Sequence, residues 1–206
     1  MTTLLYIESS PRGADSASTQ AAQILLDALP AAVTVEHLPL FEMGLPEFDG
    51  LTASAKYHVL GGQELAPAEQ PAWAKVTEFV DQFKAADHYL ITAPMWNFSI
   101  PYKLKQYIDL ITHPGMTFAA DKDGIRGLAG GSGTVIYSRG GDYSPKDGKP
   151  DPFDHQSPYL QAWLGLVGVS PLSEIAVQQT MGGPDALASA LQGVTAELQA
   201  IAAGLG

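Results

Sequence analysis

The sequence predicts an α/β fold: a doubly wound, five-stranded parallel sheet with helices on both faces. Three observations predict it. Short apolar runs alternate with stretches of helical periodicity along the whole chain. Each strand-like run is followed by a helix, which calls for parallel pairing with both faces covered. At 206 residues the chain is long enough to bury a core without cross-links, and no repeat or low-complexity linker divides it. One domain over residues 1–206 is therefore expected.

Thr3–Ile7 is apolar and ends in the turn-rich Ser9-Ser10-Pro11-Arg12-Gly13, the pattern of a buried strand. Ala22, Leu25, Leu26 and Leu29 recur at helical spacing over Thr19–Leu29, with Ser16 and Ser18 available as caps. Val33–Leu38 alternates as a second strand. Residues 39–71 are punctuated by Pro39, Gly44, Pro46, Gly50, Pro67 and Pro71; a short helix is expected only around Ser54–Leu60. Such long excursions are commonly functional or interfacial. Trp73, Val76, Val80 and Phe83 mark the next helix and His88–Ala93 the third strand. A helix with Pro101 in its first turn carries Leu104, Tyr107, Ile108 and Ile111 on one face. His113–Gly133 reads as a Gly-rich loop, Thr134–Ser138 as the fourth strand and Arg139–Pro152 as another loop. Tyr159, Leu160, Trp163, Leu164 and Val167 define a helix, Glu174–Val177 the fifth strand, and Pro184–Ala203 a closing helix.

Composition narrows the function. With no cysteine, disulfides, thiolate catalysis, Cys-ligated zinc and Fe–S clusters are excluded. A formal charge of −11 argues against nucleic acid as a partner, since polyanion binding needs clustered cations. One phosphate held by backbone amides at a helix start remains compatible. His37, His58, His88, His113 and His155 lack metal-ligand spacing, so no metal site is expected. No Lys or Arg follows Lys149; this final stretch reads as structural, because blocks of like charge are absent. Met1-Thr2-Thr3 offers no basic leader, Glu8 interrupts the first apolar run, and no window reaches the length of a membrane span. A cytoplasmic protein without membrane insertion is expected.

In such a sheet, ligands bind beyond the carboxyl ends of the strands, where strand order reverses. Three loops fall there. The first, Glu8–Ser18, has neither a Walker pattern nor G-x-G-x-x-G. It offers the hydroxyls of Ser10, Ser16 and Ser18, the Arg12 guanidinium and helix-start amides, a set that fits a phosphate monoester. The same serines also suit a plain cap and turn. The third-strand loop, Ala93-Pro94-Met95-Trp96-Asn97-Phe98-Ser99-Ile100-Pro101, places Trp96 and Phe98 to flank a planar ring or to pack under the next helix. The fourth, Ser138-Arg139-Gly140-Gly141-Asp142-Tyr143, has glycines for close approach or positive φ; an ordinary turn explains them equally. Together the loops offer a phosphate end and a planar-ring end at one sheet edge.

These residues resemble the FMN-dependent NADH:quinone oxidoreductases and azoreductases, a branch of the flavodoxin-like fold. The match runs in order through Ser9–Gly13, Ser16–Ser18, Ala93–Pro101, His113–Phe118, Ser138–Gly141 and Pro158–Gly165, and Pro-Met-x-Asn-Phe is its most specific segment. The resemblance implies FMN phosphate on Ser10, Ser16, Ala17 and Ser18, beside the Arg12 already noted. Pro94, Met95, Trp96, Asn97 and Phe98 would hold the isoalloxazine and ribityl parts, and Ser138, Arg139, Gly140 and Gly141 would close over the pyrimidine edge. It also implies a homodimer whose sites are completed by the partner, giving the 39–71 excursion an interfacial purpose.

The expected activity is hydride transfer from NADH or NADPH through flavin N5 to a quinone or aromatic azo compound, in two half-reactions sharing one site. No obligatory catalytic side chain is required, since the flavin carries the chemistry; Asn97 and Tyr143 are placed in supporting roles. Phe118, Ala120, Tyr143 and Phe153 are the expected substrate pocket. Ala120 stands where the family often has an aromatic, which enlarges the substrate entrance. Gly130-Gly131-Ser132-Gly133 replaces the family's basic Gly-Lys-Lys turn, a change that either alters nicotinamide preference or has no consequence. The alternative is a flavodoxin-like FMN electron carrier serving a protein partner, which the acidic charge also fits.

Overall fold

The computed structural model describes residues 2–122 and 124–206. In chain order the elements are β1 (Thr2–Glu8), α1 (Ala17–Asp27), β2 (Val33–Pro39), α2 (Gly50–Leu60), α3 (Glu69–Lys84), β3 (His88–Pro94), α4 (Tyr102–Ile111), β4 (Phe118–Asp121), β5 (Gly124–Gly127), β6 (Ser132–Ser138), α5 (Ser157–Val167), β7 (Leu172–Val177) and α6 (Pro184–Ala203). The main sheet has five strands in the order β2-β1-β3-β6-β7, all parallel. This is the flavodoxin-like order. The chain leaves β1 toward one edge and returns on its other side at β3, so the crevice opens between those two strands.

Strand alternation sends neighbouring side chains to opposite faces. Leu5, Ile7, Tyr89, Ile91, Val135 and Tyr137 meet α3, α4 and α5 on one face. Leu4, Tyr6, Leu90, Ile136, Ile175 and Val177 meet α1 and α6 on the other. Each fully buried large aliphatic side chain contributes about 1.5–3 kcal/mol, and the face under α3, α4 and α5 carries the larger and more aromatic cluster.

Strand ends shift by one or two residues from the sequence reading, and four differences are larger or change a residue's role. The stretch read as a Gly-rich loop contains the antiparallel β4–β5 hairpin. Its strands are only four residues each and largely exposed, so they carry no apolar alternation. Inside 39–71 the helix is longer than expected, running from Gly50 behind an Asp49 cap that accepts from the Thr52 amide at 2.9 Å. Helix α1 stops at Asp27 rather than Leu29. Pro101 is the N-cap of α4, with extended ψ, rather than a first-turn residue. No helix among the described residues is long and apolar enough to cross a membrane.

Candidate active site

The loop after β1 turns through Gly13, whose φ is +50°, into a short helical turn and then α1. Ser16 is the N-cap of α1, yet its side chain makes no capping bond. Its Oγ pairs instead with Ser18 Oγ at 3.1 Å, and both hydroxyls are buried. A helix start normally gains about 1 kcal/mol from such a cap. Here the first-turn amides keep their positive partial charge for something else.

Those groups face a cavity of about 250 Å³. Ser10, Arg12, Ser16 and Ala17 line it from the first loop, Pro94, Met95 and Trp96 from the third, and Ser138 and Gly140 from the fourth. The structure thus brings nine of the cofactor residues named from sequence around one space. The expected loops are joined by a fourth, after β7: Thr180, Met181 and, just into α6, Leu187 complete the wall, with Asp15 at the first loop. Sequence reasoning missed this loop because Gln-Gln-Thr-Met-Gly-Gly carries no motif. The signal available was its position, beyond the carboxyl end of the fifth strand. Thr180 is held by N–H and Oγ1 donation to Arg139 O, each at 3.1 Å, and the Met181 thioether rests against Gly140.

Beyond Trp96 the chain makes a two-residue reversal. Trp96 N donates to Ser99 O at 2.9 Å and Ser99 N to Trp96 O at 3.0 Å. Asn97 and Phe98 between them have φ of +49° and +71°. Paired positive φ is the signature of a type I′ turn, which favours Asn at its first position and Gly at its second. Phe98 occupies the glycine position, at a cost of about 1–2 kcal/mol for left-handed backbone, and strain of this kind collects at functional sites.

This turn splays its aromatic rings to two sides. Trp96 lies 5.6 Å from Phe41 and 6.2 Å from Tyr102 between ring centres. With Asn97, Trp96 borders a cavity of about 570 Å³ whose far wall is α4. Phe98 lies 5.1 Å from Phe153 and 6.5 Å from Tyr143. Tyr143 and Phe153, half of the expected substrate pocket, are therefore together at the Phe98 ring. Phe118 and Ala120 are not with them. They stand on the β4–β5 hairpin, where Gly127 abuts Gly168 at the end of α5.

Neither Gly140 nor Gly141 has positive φ; a Cβ at Gly140 would meet Met181 Sδ at 2.6 Å, whereas one at Gly141 would make only ordinary contact with Tyr143. Arg139 turns its side chain away from the 250 Å³ cavity. Tyr137, Ser138 and Arg139 alternate across the sheet edge, and parity sends Arg139 with Tyr137 toward α5. Its guanidinium stacks 5.1 Å from the Tyr137 ring and bonds Asp154 and Gln156. No cluster of potential metal ligands occurs among the described residues.

Residues 2–202 match the flavodoxin-like fold family. The chain is 44% identical to an FMN-dependent NADH:quinone oxidoreductase of Desulfotalea psychrophila, over 98% of this chain and 95% of that one. The chain belongs to this family. A second relative, FMN-dependent NADH:quinone oxidoreductase 3 of Pseudomonas fluorescens, is 38% identical over 98% of this chain and 96% of its own. Among solved structures, an FMN-dependent NADH-azoreductase from Bacillus anthracis in complex with FMN superposes with a TM-score of 0.88. It is 29% identical and covers 100% of this chain and 99% of its own.

Proposed function

We propose that this flavodoxin-like protein is an FMN-dependent NADH:quinone oxidoreductase that also reduces aromatic azo compounds. One observation carries the reading: an uncapped helix start and the Pro94–Trp96 strand end face each other across a single cavity of about 250 Å³. An anion at one end and a flat ring at the other suit that arrangement, and the relatives carry the matching names.

The residues present fit FMN. Ser10, Ser16 and Ser18 with Arg12 and the Ala17 amide take its phosphate, because first-turn amides and hydroxyls favour negative charge. Met95, Trp96, Asn97 and Phe98 hold the ring and ribityl chain, and Pro94 sets the exit of β3. Ser138, Arg139, Gly140 and Gly141 close the pyrimidine edge, Arg139 through its backbone. Bound FMN supplies hydride acceptance and delivery at N5. The chain's own work would be to orient the group and to stabilise charge: backbone amides of Asn97, Gly140 and Gly141 would serve as donors for negative charge on the reduced ring. No side chain acts as nucleophile. Phe98, Tyr143 and Phe153 wall the place that donor and acceptor occupy in turn.

The whole chain, 1–206, acts as a single FMN-binding domain, and two copies pair. In support, α2 in the 39–71 excursion exposes Leu51, Tyr57, Val59 and Leu60, and Phe118 and Ala120 on the hairpin are free to serve the partner's site. The enzyme works in the cytoplasm, the compartment that supplies reduced nicotinamide. Anaerobic titration with NADH tests the activity: yellow holoprotein bleaches directly and recovers its colour on adding a quinone or an azo dye. A protein that binds FMN but bleaches only with a separate reductase is a carrier instead.

A further inference from the structure

The Arg139 side chain has an environment that flavin contact does not explain. It is 5% exposed, and its charge is engaged on the α5 side of the sheet. Nε donates to Gln156 Oε1 at 3.1 Å and Nη2 to Asp154 Oδ2 at 2.9 Å. Gln156 uses the other end of its amide to donate to Ala93 O, 2.7 Å away at the end of β3. Asp154 in turn accepts from the Gln156 amide and the Ser157 amide, both at 3.0 Å, and from Ser157 Oγ at 2.5 Å. Burial alone raises the Asp154 pKa, but hydrogen bonds from Ser157 and the Arg139 charge outweigh it and hold the carboxyl below its ordinary value. One guanidinium therefore ties the end of β3, the loop after β6 and the start of α5 into a single unit.

Phe153 is the side chain this unit delivers. Its own ring is 56% exposed and sits in a loop of glycine, proline and aspartate with little packing to fix it. What fixes it lies on either side. Asp151 Oδ1 accepts the Phe153 amide at 2.9 Å, Asp154 follows immediately with the Arg139 bond, and His155 N donates to Phe98 O at 3.0 Å. Arg139 also lies 6.0 Å from the ring of Tyr143, whose backbone amide donates to Gln178 Oε1 at 2.7 Å, so the guanidinium borders one aromatic neighbour of Phe98 and anchors the loop that carries the other.

We propose that Arg139 and Asp154 are positioning residues for the electron acceptor: their buried clasp holds Phe153 and Tyr143 against Phe98 as the wall on which a planar quinone or azo ring stacks. This rests on the oxidoreductase reading. Planar delocalised geometry makes the guanidinium specific for the task, since lysine cannot bond Gln156 and Asp154 while stacking on Tyr137.

The test is steady-state kinetics on FMN-loaded protein with NADH and menadione, alongside anaerobic bleaching by NADH alone. Asp154→Asn raises the menadione KM about fivefold to tenfold while kcat moves less than twofold; aromatic stacking of one ring has about that worth. Phe153→Ala raises KM similarly. The double variant Asp154→Asn with Phe153→Ala is no worse than Phe153→Ala alone, because residues acting through one another are not additive. A merely structural Asp154 gives factors that multiply, and that result overturns the proposal. So does an unchanged KM in a folded, FMN-loaded Asp154→Asn protein. If Asp154→Asn fails to fold, Arg139→Lys in the same cycle with Phe153→Ala replaces it, with the same two readings. Wild-type protein that NADH fails to bleach sinks the oxidoreductase reading itself, an outcome distinct from any pattern among the variants.

Discussion

At the β1–α1 end of the crevice the chain presents backbone amides and short hydroxyls, and at the β3–β6 end it presents large rings. The first end is relaxed: Ser16 has ordinary extended backbone, with φ of −84° and ψ of 127°, and the hydroxyls bond each other. The second end is strained, with Phe98 held at φ +71° and rings left half open to solvent. The contrast follows from what each end must recognise. A compact anion is satisfied by many convergent dipoles at fixed positions. A flat ring needs wide apolar surface, and folded protein exposes that only by holding side chains out of the core.

The largest expected effect falls on the core beneath the ring end. Helix α4 begins beside Trp96 and ends against His113, which is buried, stacks with Phe48 and lies 5.1 Å from Trp73. Burial, then the charge of Lys56, push its pKa down to about 4. A depressed histidine is neutral when folded, so the unfolded chain binds the extra proton between about pH 6.5 and 4. Its contribution is complete above pH 6.5 and is lost as pH falls through that window, about 3 kcal/mol in all. Denaturant melts at each pH show the slope; His113→Phe flattens it. An unchanged slope means the drop arises elsewhere.

Next in size is Asn97→Val. A β-branched residue at positive φ costs about 2 kcal/mol, enough to weaken FMN affinity about thirtyfold if the turn must hold its shape. Flavin fluorescence on dilution reads this directly. Full FMN retention in that variant would show that the ring end does not depend on its strained turn.

Much of this division is legible in the residues themselves. Ser10, Ser16 and Ser18 before a helical run announce the relaxed end, and Pro-Met-Trp-Asn-Phe announces the other. What stays hidden is side-chain direction at long range. The Arg139 guanidinium appears available to a ligand until strand parity and the residues 15 and 17 positions on are known. The β4–β5 hairpin escapes because short exposed strands carry no period-two apolar pattern. Thr180 and Met181 escape because only the packing of α6 against α1 brings the β7 loop toward the first.

Ser16→Ala sharpens the contrast from the relaxed side. With no capping bond to lose, thermal stability falls only by the worth of the Ser16–Ser18 hydroxyl bond, about 1 kcal/mol. The ratio of FMN to riboflavin affinity falls about tenfold, the worth of one charge-assisted hydrogen bond. Equal losses for both flavins would move the phosphate away from this helix start.

The smallest effect has the opposite sign. Phe98→Gly removes the left-handed penalty of about 1–2 kcal/mol, while the ring it deletes is 44% exposed and gives up only part of a buried side chain's worth. The two nearly balance, and we expect a net gain of less than about 0.5 kcal/mol in a denaturant melt. Quinone reduction falls in the same protein, because the ring that contacts Phe153 and Tyr143 is gone. A gain in stability with a loss of turnover is what a side chain held in strain for binding produces. If Phe98→Gly instead loses stability and keeps its turnover, the ring is packing material, and the two ends of the crevice differ less than their backbones imply.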